Sequence, residues 1–390
     1  MSTSPEAAGY APFEYAPPYR FLSWLGLIRG GDPQVVRRAL LAIAICWLPL
    51  ALLTFLHGDF LRPDYGNAFV FDFGTHARFL IAVPLLILAE SLCVPRLAAI
   101  VRHFAASGLV RAPDRPTYER AVESTRRLLR LKVVEILAFA LAYALVAWMV
   151  IGAPVGELPL WHGRMGAPLV LTPAGWWGLL VSLPLLLVLQ LGWLWRLALW
   201  TRFLWLMSRM KLRLIPSHPD HAGGLKFVGY SLEAFAPLAF ACGVLGAGLV
   251  LNQVVHRGAS ADQFRNLAIA VAGFAVLLFG APTLVFVRRL MQEHHRGILA
   301  YGSFAIRAGC EFEDKWLVGA VDEQTLRAPD FAPTNSLYAI AGHAFAMKRL
   351  PFEPRSVAIL AGAALLPFVP VALLSIPAEV LLGKLRGIFI

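Results

Sequence analysis

Charge is scarce in this 390-residue sequence: Asp, Glu, Lys and Arg make up 15% of it, against about 25% in an average soluble domain. Cysteine is scarce too. Cys46, Cys93, Cys242 and Cys310 form no CxxC pair, which excludes a disulfide or zinc framework of recognisable spacing. HExxH, GxSxG and Walker-type loops are absent, so metalloprotease, hydrolase and ATPase readings have no support. "GVLGAG" at 243–248 has the look of a nucleotide-binding turn, but no strand precedes it, and close helix packing through small residues is the better reading. No cleavable signal peptide is visible. The first basic residue is Arg20, and the first long apolar run begins near Ala39, too late and too long for such a segment.

Apolar residues are what the chain has in plenty, at 58%, with a mean hydropathy of +0.65. They are blocked into seven runs, 39–57, 79–95, 133–152, 175–197, 233–254, 266–287 and 356–380, each near the ~20 residues that cross a bilayer. The expected architecture is an all-α polytopic membrane bundle of seven spans. Segments 1–38, 95–132, 200–232 and 288–355 hold 27 of the 35 Lys and Arg, while the alternate loops hold 5. That bias predicts a cytoplasmic N-terminus, with the +11 net charge facing anionic lipid head groups rather than nucleic acid.

The organisation expected is a cytoplasmic segment 1–38 with a short interfacial helix at 19–28, a six-span core 39–287, and a cytoplasmic helical segment 288–355. The last is read as helix to about Trp316, then a Pro-containing linker through 327–335. No catalytic domain of ordinary size fits in it. Residues 356–390 hold the seventh span and a tail, and Pro367, Pro370 and Pro377 predict a kinked or re-entrant segment there.

An internal repeat is the most informative organisational signal. "PLLILAESLCVPRLAAIVR" at 84–102 aligns with "PLLLVLQLGWLWRLALWTR" at 184–202, with Pro84/Pro184, Arg96/Arg196 and Arg102/Arg202 in register. Repeated two-helix hairpins follow, spans 1–2 and 3–4 being the better copies. Pro282 in the sixth span hints at a third. Internal repeats are common in transporters. The alignment also assigns Arg196. Alone it looks like an intramembrane charge facing Glu90; matched to Arg96, it is expected at the cytoplasmic edge, where long basic side chains snorkel.

Two amphipathic stretches flank these spans. "WTRFLWLMSRMKLRL" at 200–214 reads as a helix at the inner leaflet, and "YERAVESTRRLLRLK" in loop 103–132 offers i, i+4 ion pairs. Such cytoplasmic helices could hold a protein partner or a second copy of the chain.

Glu90 is the strongest candidate for chemistry inside the membrane, because an ionisable group there costs about 2.5–3.5 kcal/mol on insertion scales and marks a pathway or a paired charge. Gln190 is its counterpart in the second copy. Glu135 and Glu233 can reach the interface, and Asn252 reads as interhelical glue. The remaining candidate is "HPDHAGG" at 218–224. Its Pro219, Asp220, Gly223 and Gly224 suit a capped turn between helices; His218, Asp220 and His221 also have donor atoms for a divalent metal, with Glu293 and His294 on the same side. Both readings stand at this point.

The stretches "LIPSHPDHAGGLKFVG", "HARFLIAVPLLILAE" and "MKRLPFEPRSVAIL" resemble a family of bacterial integral membrane proteins to which no activity is assigned. The likeness covers about residues 20 to 380. It departs slightly at Lys226, where that family carries a small or apolar residue. It implies a bacterial inner-membrane address and brings no substrate or catalytic residue with it. The expected function is transport or channel-like. The alternatives are a membrane-embedded metal-binding protein or metalloenzyme and a non-catalytic scaffold or accessory subunit.

Overall fold

A computed structural model describes residues 34–61, 68–152, 161–164, 170–257, 264–316 and 331–374. The interfacial stretch 19–28 and the tail from 375, with Pro377, lie outside the described residues. Among the described residues seven helices are long and apolar enough to cross a membrane: Val35–Leu56, Phe73–Ala106, Lys132–Ile151, Pro173–Arg209, Lys226–His256, Arg265–Asp314 and Pro354–Leu373, spans 1 to 7. The fold is an all-α membrane bundle.

Its apolar residues face two ways. Phe104, Trp200, Phe203, Phe235 and Phe286 are buried between helices. Leu40, Phe55, Ile136, Trp148 and Leu277 are more than half exposed and suit hydrocarbon. Span 5 is the central helix, touching spans 2, 6 and 7, and span 3 is peripheral, packed chiefly on span 4. Small residues make the centre possible. A Cβ on Gly243 would collide with the Ala364 carbonyl of span 7, and one on Gly248 with Ala77 of span 2. The expected close packing through "GVLGAG" is therefore present.

The two copies of the hairpin share a backbone device. Asp72 caps the start of span 2 by accepting from Thr75 N, and one hundred residues later Thr172 caps span 4 by accepting from Gly175 N. A short α turn then widens to a π-helical stretch, at Ala77–Ala82 in span 2 and Gly178–Ser182 in span 4. Each returns to α-helix with proline in its first turn, Pro84 or Pro184, where the missing N–H is easily tolerated. Span 6 departs from this pattern: around Pro282 it tightens to a 3₁₀ stretch, Ala281–Phe286.

Spans 2 and 4 contain 34 and 37 residues, so both continue past the membrane at the end that carries most of the Lys and Arg. At that basic end, Arg115–Leu129 forms the expected helix, with Arg115–Glu119 and Glu123–Arg127 pairs at 3.6 and 3.1 Å. Tyr118 ties it down by donating to the Val101 carbonyl at 2.7 Å.

Two expectations need correction. The amphipathic helix stops at Arg209 rather than 214. From Met210 the chain is extended, and Met210, Leu212 and Leu214 are buried while Lys211, Arg213 and Ile215 are exposed, a period of two that a helix cannot satisfy. The linker read through 327–335 is shortened by a helix, Phe331–Phe345, whose third residue is Pro333. Span 7 is interrupted at one of its prolines: Leu366–Phe368 is a 3₁₀ turn at Pro367 between two α segments.

Candidate functional site

Glu90 lies where spans 1, 2 and 4 meet, and it is held by two arginines. Arg38 Nη2 is 2.9 Å from Glu90 Oε2, and Arg196 Nη2 is 2.5 Å from Glu90 Oε1. Both arginines are 5% exposed. This overturns the expectation for Arg196. Its guanidinium does not snorkel to the edge; it turns inward, rests over the Trp193 ring at 4.6 Å, and closes an ion pair across the two copies. Position along a helix does not say which neighbour a side chain meets. Its counterpart Arg96 is exposed. Gln190 is half-buried in span 4, outside the network.

Arg38 was missed as a site residue because it was counted among the topological charges before span 1. The signal was present: Arg38, Ala42 and Cys46 recur every four residues and share the buried face, whereas Arg37 points out and bonds Gln34. Two guanidiniums against one carboxylate leave an excess positive charge, and neither Arg38 Nε nor Arg196 Nε finds a hydrogen-bond partner among the described residues.

The loop "HPDHAGG" at the basic end is organised by Asp220. Its carboxylate accepts N–H bonds from Ala222 and Gly224 on one oxygen and from Lys226 on the other, at 2.9 to 3.1 Å. His218 Nδ1 approaches the same carboxylate at 2.8 Å. That nitrogen also lies 3.3 Å from the Asp220 N–H, but it cannot both donate and accept, and the shorter contact with the carboxylate assigns it the proton. Burial works against the Asp220 charge, yet these backbone bonds and His218 outweigh it and hold its carboxyl below the usual value. His221, Gly223 and Gly224 take positive φ, so the backbone curls around the aspartate. The His221 carbonyl accepts from Lys348 N at 2.6 Å, and its ring lies 5.2 Å from that of His343.

The capped-turn reading is thus realised: Lys226 is the first residue of the helical turn that opens span 5, and Asp220 satisfies its N–H. The metal reading fares differently. Among the described residues no group of three or more His, Cys, Asp or Glu is placed to hold an ion. Glu293 pairs with Arg296 at 2.5 Å, and His294 Nε2 faces the Phe345 carbonyl at 3.4 Å. Glu233 instead accepts from Ser356, tying span 5 to span 7.

A third polar cluster, at the opposite end, escaped the sequence reading. Asn252 does act as interhelical glue there, donating to Asp72 at 2.8 Å and accepting from Gly74 N at 3.1 Å. Burial opposes the charge on Asp72, but the bonds from Asn252 and Thr75 lower its pKa overall. Trp47 Nε1 donates to His76 Nδ1, so His76 Nε2 carries the proton and donates to the Val70 carbonyl. His162 packs on Trp161 and over Gly178, and burial pushes its pKa down to about 4. Asp72 pulls that value up and Arg78 pulls it down, both more weakly.

No family model, no curated protein and no solved structure matches this chain.

Proposed function

We propose that this chain is a membrane transport protein of the bacterial inner membrane, with its basic end in the cytoplasm and the Arg38–Glu90–Arg196 network as its working site. The observation that carries this reading is a carboxylate clasped by two buried guanidiniums inside an apolar bundle. Burying three charges costs several kcal/mol per ion before pairing, and well-packed apolar residues would hold the same helices at least as firmly. Ionisable groups at such positions mark ion and proton pathways. The network also has the property coupling needs. A proton arriving on Glu90 frees two guanidiniums, and an anion arriving at the guanidiniums competes with Glu90. Proton and anion occupancy are therefore linked through one set of contacts.

The test is flux in liposomes bearing the purified protein, read with a pH-sensitive dye and with anion-selective electrodes against empty liposomes. Movement of an ion or solute is expected, and Glu90→Gln should abolish its pH dependence while the protein remains folded. No flux above control, together with no effect of Glu90→Gln in cells, would leave the network as a lock between helices and remove the transport reading.

A further inference from the structure

A cavity of about 480 Å³ opens at the basic end, apart from the Glu90 network. One wall is the extended segment Leu212–Pro216, another the continuation of span 6 from Glu293 to Tyr301, and Arg111 closes the third side. Its charged and polar groups are Arg111, Arg213, Arg296, Glu293 and Tyr301. Three guanidiniums thus face one carboxylate, which is already paired with Arg296 at 2.5 Å. Among the described residues neither Arg111 nor Arg213 has an acidic partner. Tyr301 accepts a hydrogen bond from Ser217 at 3.1 Å, which leaves its own phenolic proton free to donate.

The walls are set by packing. Gly297 lies against Pro216 so closely that a Cβ there would meet the proline ring at 2.6 Å. Arg213 is positioned by the alternation of the extended segment and by its N–H bond to the Leu109 carbonyl at 2.9 Å. Arg289 braces the same segment by donating to the Met210 carbonyl at 2.6 Å. The guanidiniums therefore project from a braced frame.

We infer that this cavity binds a phosphate-bearing anion, with Arg111 and Arg213 as the principal contacts, Tyr301 as a further donor, and Arg296 recruited as it leaves Glu293. Guanidinium groups present paired N–H donors that match phosphate oxygens two at a time. The space is that of a small-molecule pocket, larger than a halide needs. Its level fits as well. Arg296 lies about 50 Å along the helix from Arg265, at about 1.5 Å per α-helical residue and about 2 Å through the 3₁₀ stretch Ala281–Phe286, against about 40–45 Å for a bilayer with its head groups. The pocket is therefore at or just beyond the edge of the head-group layer, where lipid phosphates and dissolved phosphates both arrive. This inference stands independently of the transport reading.

The experiment is calorimetric titration of the full chain in nonionic detergent with three probes: inorganic pyrophosphate, dihexanoyl phosphatidylglycerol, and dihexanoyl phosphatidylcholine as a zwitterionic control. At least one of the two anionic probes is expected to bind. Arg111→Gln with Arg213→Gln should weaken it about tenfold or more, and Glu293→Gln, which frees Arg296, should strengthen it about threefold. Arg96→Gln, outside the cavity, should change it less than about twofold. Binding of phosphatidylglycerol alone identifies a lipid head group; pyrophosphate binding with the same dependence identifies a soluble phosphate compound. If the double variant does not fold, Arg111→Gln and Glu293→Gln decide by their opposite signs. Absence of binding by both anionic probes, indifference to these substitutions, or equal binding of phosphatidylcholine overturns the inference.

Discussion

Spans 2 and 4 are alike in backbone and unlike in charge. Each begins with a side-chain cap, passes through a π-helical stretch, and resumes as α-helix at a proline. Yet at equivalent places the first copy carries Arg78, Glu90 and an exposed Arg96, and the second carries Gly178, Gln190 and a buried Arg196. The ion pair forms between non-equivalent positions, Glu90 of one copy and Arg196 of the other. The widened turns define how the helices enter the bundle. The charges record which neighbour each helix meets: span 4 turns its arginine toward spans 1 and 2, while span 2 turns the matching arginine outward.

The largest test of that asymmetry is Glu90→Ala. It strands two buried guanidiniums and is expected to cost about 3–5 kcal/mol in denaturant unfolding in detergent, against less than about 1 for Gln190→Ala. Equal effects at the two positions would show that the charges of the network are already compensated from elsewhere. A second test uses Gly178, which admits the His162 ring where the first copy has Arg78. Because the folded-state pKa of His162 is depressed to about 4, its contribution is complete above the unfolded value near 6.5 and is lost as pH falls toward 4. Up to about 3 kcal/mol of stability should disappear over that window, and His162→Phe should flatten the profile.

The caps give a smaller contrast. Asp72→Ala should cost about 2 kcal/mol, since it removes the cap and the bond from Asn252, and Thr172→Ala about 1, both measured by thermal unfolding. A reversed order would mean that the second cap holds more than its own turn. Smallest of all, Arg96→Gln should change stability by less than about 0.5 kcal/mol. Its near-silence beside a large effect of Arg196→Gln would confirm that shared depth does not imply shared environment.

Much of this molecule was legible in its sequence. Seven runs near bilayer length are seven spans, because a backbone in hydrocarbon must satisfy its own hydrogen bonds and a helix does so alone. The two-copy hairpin was visible in Pro84/Pro184 and the paired arginines, and the glycines of 243–248 announced close packing. The π-helical turns were not legible. Each depends on how a helix is pushed by its neighbours, and no residue type marks it. The extended stretch after Arg209 was legible in principle, since Met-Lys-Leu-Arg-Leu alternates, but the run of basic residues after a span was read as an amphipathic helix. Glu90 was recognised, whereas its partners Arg38 and Arg196 were assigned to topology. A single sequence shows where a charge lies along a helix, not what lies across from it. The same limit hid the cluster at the end opposite the basic one, whose Asp72 and Asn252 are 180 residues apart.

The loop around Asp220 has a consequence for how the chain is made. Its His221 carbonyl receives Lys348, Lys226 pairs with Glu353 at 2.5 Å, and Gly229 lies against Pro351 and Phe352. The approach to span 7 is therefore fastened to the corner between spans 4 and 5. A ribosome delivers span 7 after spans 1 to 6, when that corner has already left the exit tunnel. Until it arrives, the Gly243 face of span 5 has no neighbour to close it. Span 7 is thus the keystone of this bundle, and a nascent chain halted before residue 348 holds spans 1 to 6 around an unsealed centre.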